Sequence, residues 1–161
     1  SKIKSGALVL NKSHFKILEF AKEYISEIQR IHPLCNIIFE PSENIEIFAD
    51  RERLGQVLIN FLTNAVKYSP DECDVHVRIW HSENEVTFSV QDFGIGISPL
   101  DQKRIFERFY RVEGTNEKTY RGFGIGLNIA AEIIERHGGT VHVESEIGKG
   151  SILSFTIPRK S

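Results

Sequence analysis

DRERLGQVLINFLTNAVK, residues 50–67, decides the fold. Leu54, Val57, Leu58, Phe61, Leu62, Ala65 and Val66 recur at steps of three and four, which gathers them into one apolar stripe along a helix. Asp50 stands where a carboxylate accepts a free backbone N–H of the first turn, and Pro70 closes the segment, so the pattern predicts a helix over 50–68. A helix this one-sided must bury its stripe against another layer, and the flanking segments have to supply it.

Downstream, Val75, Val77 and Ile79 alternate with polar residues, as do Val86, Phe88 and Val90, with Ser82-Glu83-Asn84 between them. This is the pattern of a hairpin of half-buried strands. Ser98-Pro99-Leu100-Asp101 puts a cap, a first-turn proline and an acid in the order of a helix start. A further helix from about residue 125 to His137 stops at Gly138-Gly139, and strands near 140–145 and 151–157 flank Glu146-Ile147-Gly148-Lys149-Gly150. The polar stretch 113–121 has no periodicity and reads as a mobile loop. Upstream, Leu18, Ala21, Ile25 and Ile28 predict a helix over about 15–31 that Pro33 ends, and the runs 36–40 and 45–49 read as a pair of strands around Pro41-Ser42-Glu43-Asn44. The expected class is α+β: a two-layer α/β sandwich with helices on one face of a mixed, mostly antiparallel sheet.

Composition agrees with one domain. The chain has 161 residues, 40% hydrophobic and 26% charged, with a net charge of −2. Nothing in that balance points to nucleic acid or a membrane surface, and the longest apolar runs are too short to span a bilayer. Cys35 and Cys73 match no disulfide framework or metal-ligand spacing, which favours a reducing compartment. Of the twelve glycines, ten fall between positions 94 and 150, where backbone is expected to bend sharply or approach a ligand. The six histidines include no zinc-ligand pair, and no acyl-transfer motif is present.

Three polar constellations remain. Asn60, Asn64 and Lys67 form a second line on the 50–68 helix; a plain solvated face would also produce one, although asparagine is a mediocre helix former. An Asn oxygen suits Mg²⁺ and a Lys suits phosphate. Asp92-Phe93-Gly94-Ile95-Gly96-Ile97 follows a strand, either as a capped turn or as a carboxylate beside a tight loop that a flat ligand can approach. Gly122-Phe123-Gly124-Ile125-Gly126-Leu127 opens the next helix and offers N–H groups to an anion. Between these glycine motifs, residues 103–121 carry six basic and three acidic side chains. Phe106 and Phe109 within that stretch read, on their own, as core anchors.

The order of these features resembles the sensor histidine kinases. Leu58–Tyr68 resembles their N box, Asp92–Ile97 their G1 box, Ile105–Arg111 their F box and Gly122–Leu127 their G2 box. The resemblance spans roughly residues 14–158 and implies an ATP-binding domain of the GHKL fold. It implies that Asn64 ligates Mg²⁺ with Asn60 assisting, that Lys67 reaches the phosphates and that Tyr68 lies against the adenine or ribose. Asp92 would accept from the adenine amino group, with Gly94, Gly96, Ile97 and Phe109 beside the nucleotide. Arg111 would approach the γ-phosphate, residues of about 112–123 would form a lid, and Gly122, Gly124, Gly126 and Leu127 would surround the phosphates. One position departs from the family pattern: the middle of the G2 box, commonly Thr or Ser, is Phe123.

The same resemblance implies a histidine kinase activity with ATP and Mg²⁺, exercised on a histidine outside this chain. None of the six histidines here precedes an acid, as the family's acceptor does. Residues 1–12 are expected to be the end of a dimerisation helix and its linker, with the catalytic domain over 13–161, so the chain is expected to be a piece of a longer protein. Its expected partners are its own dimerisation helices and a response-regulator receiver domain, with no nucleic acid. The fragment is expected to be monomeric, the whole protein a homodimer, and the location cytoplasmic. A GHKL serine kinase or ATPase, or a nucleotide sensor without transfer activity, is the competing reading.

Overall fold

Asp50 caps the central helix as its position predicts: its Oδ1 accepts the Arg53 N–H at 3.1 Å. In a computed structural model that describes residues 8–67, 73–107 and 123–159, with backbone alone at 123–125, the elements follow in a simple order. They are β1 (Ser13–Lys16), α1 (Ile17–Ile31), β2 (Asn36–Glu40), β3 (Glu46–Ala49), α2 (Arg51–Lys67), β4 (Asp74–His81) and β5 (Glu85–Asp92). After these come α3 (Pro99–Gln102), α4 (Phe123–Arg136), β6 (Thr140–Glu146) and β7 (Gly150–Pro158).

Five strands form one sheet in the order β2-β4-β5-β7-β6. β2 runs parallel to β4, and every other neighbouring pair is antiparallel, so the sheet is mixed and mostly antiparallel. Its inner face carries Val75, Val77, Ile79, Val86, Phe88, Val90, Leu153, Phe155 and Ile157, all buried. The stripe of α2 lies in the same core, with Leu54, Val57, Leu58, Phe61 and Leu62 fully buried. Four rings join the layers: Phe88 stacks on Phe155 with centroids 4.9 Å apart, Phe20 of α1 meets Phe88 edge-on at 5.9 Å, and Phe61 of α2 meets Phe155 edge-on at 5.9 Å. The alternate face of the same strands is polar or half-exposed, with Trp80 and Arg78 in a cation–π contact.

Two expectations for the N-terminal third are corrected. The runs 36–40 and 45–49 do not pair with each other: β2 joins the main sheet beside β4, whereas β3 pairs antiparallel with β1 in a separate two-stranded sheet. Phe15 belongs to that small sheet, so the first helix starts at Ile17. The reading of the cysteines is also overturned, because Cys35 and Cys73 form a disulfide. Parallel pairing sets Asn36 opposite Asp74, which places the two preceding cysteines side by side. Residues 8–12 form neither helix nor strand, and Leu8 is buried. Among the described residues no helix is long and apolar enough to cross a membrane.

Candidate functional site

Burial of the α2 stripe leaves its polar line outside the core, with Asn60 against the start of α4. Asn60 and Asn64 are half-buried, one helical turn apart, and Lys67 at the end of α2 is exposed. Asn60 Nδ2 donates to the Gly126 carbonyl at 3.1 Å, across 66 residues of sequence. The backbone approaches so closely that a Cβ on Gly126 would lie 3.4 Å from the Asn60 amide carbon. Leu127, fully buried, anchors this turn in the core. Phe123, Gly124 and Ile125 open α4, so their N–H groups have no acceptor within the helix, and they sit at its positive end. The first turn of one helix and Asn60 of another thus form a single polar edge.

Asp92 ends β5 and turns back on its own loop, its Oδ1 accepting the Gly94 N–H at 2.9 Å. Burial pushes its carboxyl above the ordinary carboxylate value, and backbone N–H groups of Gly94 and Ser151 offset part of that rise. A poorly solvated carboxylate at a strand end is suited to accept a hydrogen bond from a ligand. Gly94, Gly96 and Ile97 are buried, while the Phe93 and Ile95 side chains are exposed. Gly96 has φ +79°, and a Cβ there would run into the Glu146 carbonyl. Ser145, Ser151 and Gln102 close around this turn from outside. No spacing in the sequence singles them out, because Ser145 and Gln102 bond to backbone and Ser151 to Ser145, contacts that follow no period.

Tyr68, Phe109, Arg111 and Gly122 lie outside the described residues, as do the 113–121 stretch and the Phe123 side chain. Ile105 is buried and Phe106 packs partly buried against the core, in keeping with the anchoring role expected of Phe106. Among the described residues no cluster of three or more His, Cys, Asp or Glu could cage a metal ion. The neutral oxygens of Asn60 and Asn64 fit a cation such as Mg²⁺, which takes few protein ligands and keeps waters and phosphate oxygens.

Residues 49–161 match the family described as histidine kinase-, DNA gyrase B-, and HSP90-like ATPase. The chain is similar to the circadian input-output histidine kinase CikA of Synechococcus elongatus, at 31% identity over 166 residues that cover all of this chain and 22% of that protein. Among solved structures it is similar to full-length ShkA in complex with AMPPNP, with a TM-score of 0.82, 29% identity, and coverage of 98% of this chain and 33% of that one. It is also similar to histidine kinase ThkA in complex with the response regulator protein TrrA, with a TM-score of 0.77, 28% identity, and coverage of 94% and 42%. The chain spans between 22% and 41% of the length of the first curated relatives it matches.

Proposed function

The chain belongs to the histidine kinase-, DNA gyrase B-, and HSP90-like ATPases, and from that premise we propose that it is the ATP-binding catalytic domain of a sensor histidine kinase. On this proposal it donates the γ-phosphoryl group of Mg·ATP to a histidine on the dimerisation helices of its full-length protein. A response-regulator aspartate then receives the group. The Asn60–Gly126 hydrogen bond carries the proposal, because it joins a helix bearing Mg²⁺- and phosphate-suited side chains to a helix start bearing free N–H groups.

Phosphoryl transfer asks a protein mainly to position reactants and neutralise charge. Asn64 would hold Mg²⁺ through its side-chain oxygen, with Asn60 close by, and Lys67 would meet the phosphates. Mg²⁺, when bound, neutralises charge that develops on the phosphate oxygens. Gly124 would present its N–H to the same phosphates, with Gly126 and Leu127 in the turn behind it. Asp92 would accept from the exocyclic amine of adenine, with Tyr68 and Phe109 alongside, and Arg111 would lie toward the γ-phosphate. Residues 13–161 would be this domain and 1–12 the link to the dimerisation helices, on the cytoplasmic side, the fragment monomeric and the whole protein a homodimer.

Calorimetric titration of the chain with ATP tests this. The wild-type chain is expected to bind ATP more tightly with Mg²⁺ than without, and Asn64→Ala to lose that difference while melting like wild type without nucleotide. Absence of ATP binding by the wild-type chain would overturn the proposal.

A further inference from the structure

The turn that carries Asp92 does not hold itself. Ile97 N–H donates to Ser145 Oγ at 2.7 Å, Ser145 Oγ donates to the Gly150 carbonyl at 2.8 Å, and Ser151 Oγ lies 2.7 Å from Ser145 Oγ. A serine hydroxyl has one proton and two lone pairs. With its proton on the Gly150 carbonyl, Ser145 Oγ receives both the Ile97 N–H and the Ser151 proton. The network therefore has one direction, and Ser145 is saturated at its centre.

Gln102 grips the same point from α3. Its Nε2 donates to the Ile97 carbonyl at 2.7 Å and to the Ser145 carbonyl at 2.9 Å, which uses both amide protons. Ile97 is thus held through its N–H and its carbonyl at once. Gly148 N–H adds a bond to the Ile95 carbonyl at 2.8 Å. The contact surface leaves no slack: a Cβ on Gly96 would meet the Glu146 carbonyl, and one on Gly150, at φ +105°, would meet the Asp92 carbonyl. Gln102 also stands three residues before the buried Ile105, so the clamp ties the Asp92 turn to the segment that continues into residues 105–107.

We propose that Ser145 and Gln102 are positioning residues for nucleotide selection, fixing the 92–97 turn against the β6–β7 end so that the Asp92 carboxylate stays aimed at the base. The proposal rests on the reading of Asp92 as the base-recognising carboxylate. Neither residue touches nucleotide itself; each acts through the backbone that bears Asp92.

Calorimetric affinities of the 161-residue chain for Mg·ATP, Mg·ADP and Mg·GTP test it. Ser145→Ala is expected to weaken ATP and ADP alike by about tenfold, the scale of one or two lost hydrogen bonds, while narrowing the preference for ATP over GTP. Ser145→Thr keeps the hydroxyl and is expected to restore both. Gln102→Glu is nearly isosteric but sets a carboxylate against two carbonyls, and is expected to reproduce the Ser145→Ala pattern. If Ser145→Ala fails to fold, Gln102→Glu and Ser145→Thr decide the question. Wild-type affinity in Gln102→Glu, or an affinity loss that leaves the ATP-over-GTP preference intact, would overturn the positioning role. A wild-type chain that binds ATP and GTP equally would instead remove Asp92 from the base site and with it the reading on which the proposal rests.

Discussion

His137 Nε2 accepts the backbone N–H of Asp50 at 3.0 Å, across 87 residues of sequence. That bond fixes the tautomer, so Nδ1 carries the proton and donates to the Ile133 carbonyl at 2.9 Å. Asp50 in turn caps α2 through Oδ1 and receives the Asn11 N–H on Oδ2 at 2.9 Å. A neutral, buried imidazole therefore pins the end of α4 to the start of α2, the two helices that form the polar edge of the site.

Stability is expected to fall in weak acid. Burial pushes the His137 pKa below its ordinary value of 6.5, and nearby Lys12 lowers it further, while the Ile133 bond and the Asp50 carboxylate offset part of this. The unfolded chain then binds this proton more readily, so the part of the stability that depends on neutral His137 is present above pH 6.5 and is lost as pH falls from there through the lowered folded value. Urea unfolding at about pH 7.5 and about pH 5.5 should show the loss. His137→Ala should be less stable by about 1–3 kcal/mol at the higher pH and should lose less between the two, because it has no such proton to gain. An unchanged pH slope in the variant would remove His137 from the account.

ATP binding should weaken as the solution is acidified, for a separate reason. Asp92 has a raised carboxyl pKa in the nucleotide-free chain. A base that donates to its carboxylate favours the ionised form, so binding releases a proton and affinity drops as pH falls through the raised value. Asp92→Asn should abolish this slope together with the preference for ATP over GTP. The same slope in the variant would place the titrating group elsewhere.

The aromatic junction should dominate the core. Phe88→Ala removes a fully buried ring that stacks on Phe155 and meets Phe20, and is expected to cost about 3–5 kcal/mol. Trp80→Ala, on the half-exposed face of the neighbouring strand, should cost under about 1 kcal/mol. Chemical denaturation of the two variants compares them directly, and equal losses would contradict the one-sided core.

Reduction should lower stability. The Cys35–Cys73 bond closes a loop of 38 residues, for which chain entropy predicts about 4 kcal/mol. The urea midpoint should fall on adding reductant. A Cys35→Ser, Cys73→Ser double variant should be insensitive to reductant, and a midpoint that moves equally in both would exclude the disulfide as its cause.

Local signals in the sequence were sufficient for part of this architecture. The α2 stripe, the Asp50 cap, the β4–β5 hairpin and the Ser98 helix start each depend on residues within one or two turns, and each appears as read. Pairing between distant segments left no such trace. β1 is four residues long, too short for alternation to register, and its partner β3 lies beyond a whole helix. The parallel β2–β4 pairing crosses α2, so nothing in the spacing of Cys35 and Cys73 shows that they meet. At the site, Asp92 and Asn60 stood out by residue type next to glycine or on a polar stripe. Ser145 and Gln102 did not, since their partners, backbone groups in every case but the Ser151 hydroxyl, come from segments distant from the Asp92 motif or follow no period.

The central claim is transfer of a phosphoryl group to histidine. It is tested most directly by mixing this chain with dimerisation helices in trans and ATP labelled in the γ-phosphate. The account predicts acid-labile, base-stable label on a histidine of those helices, and none when the chain carries Asn64→Ala. Alkali-sensitive label on serine, or ATP binding with no transfer to the helices, would contradict it.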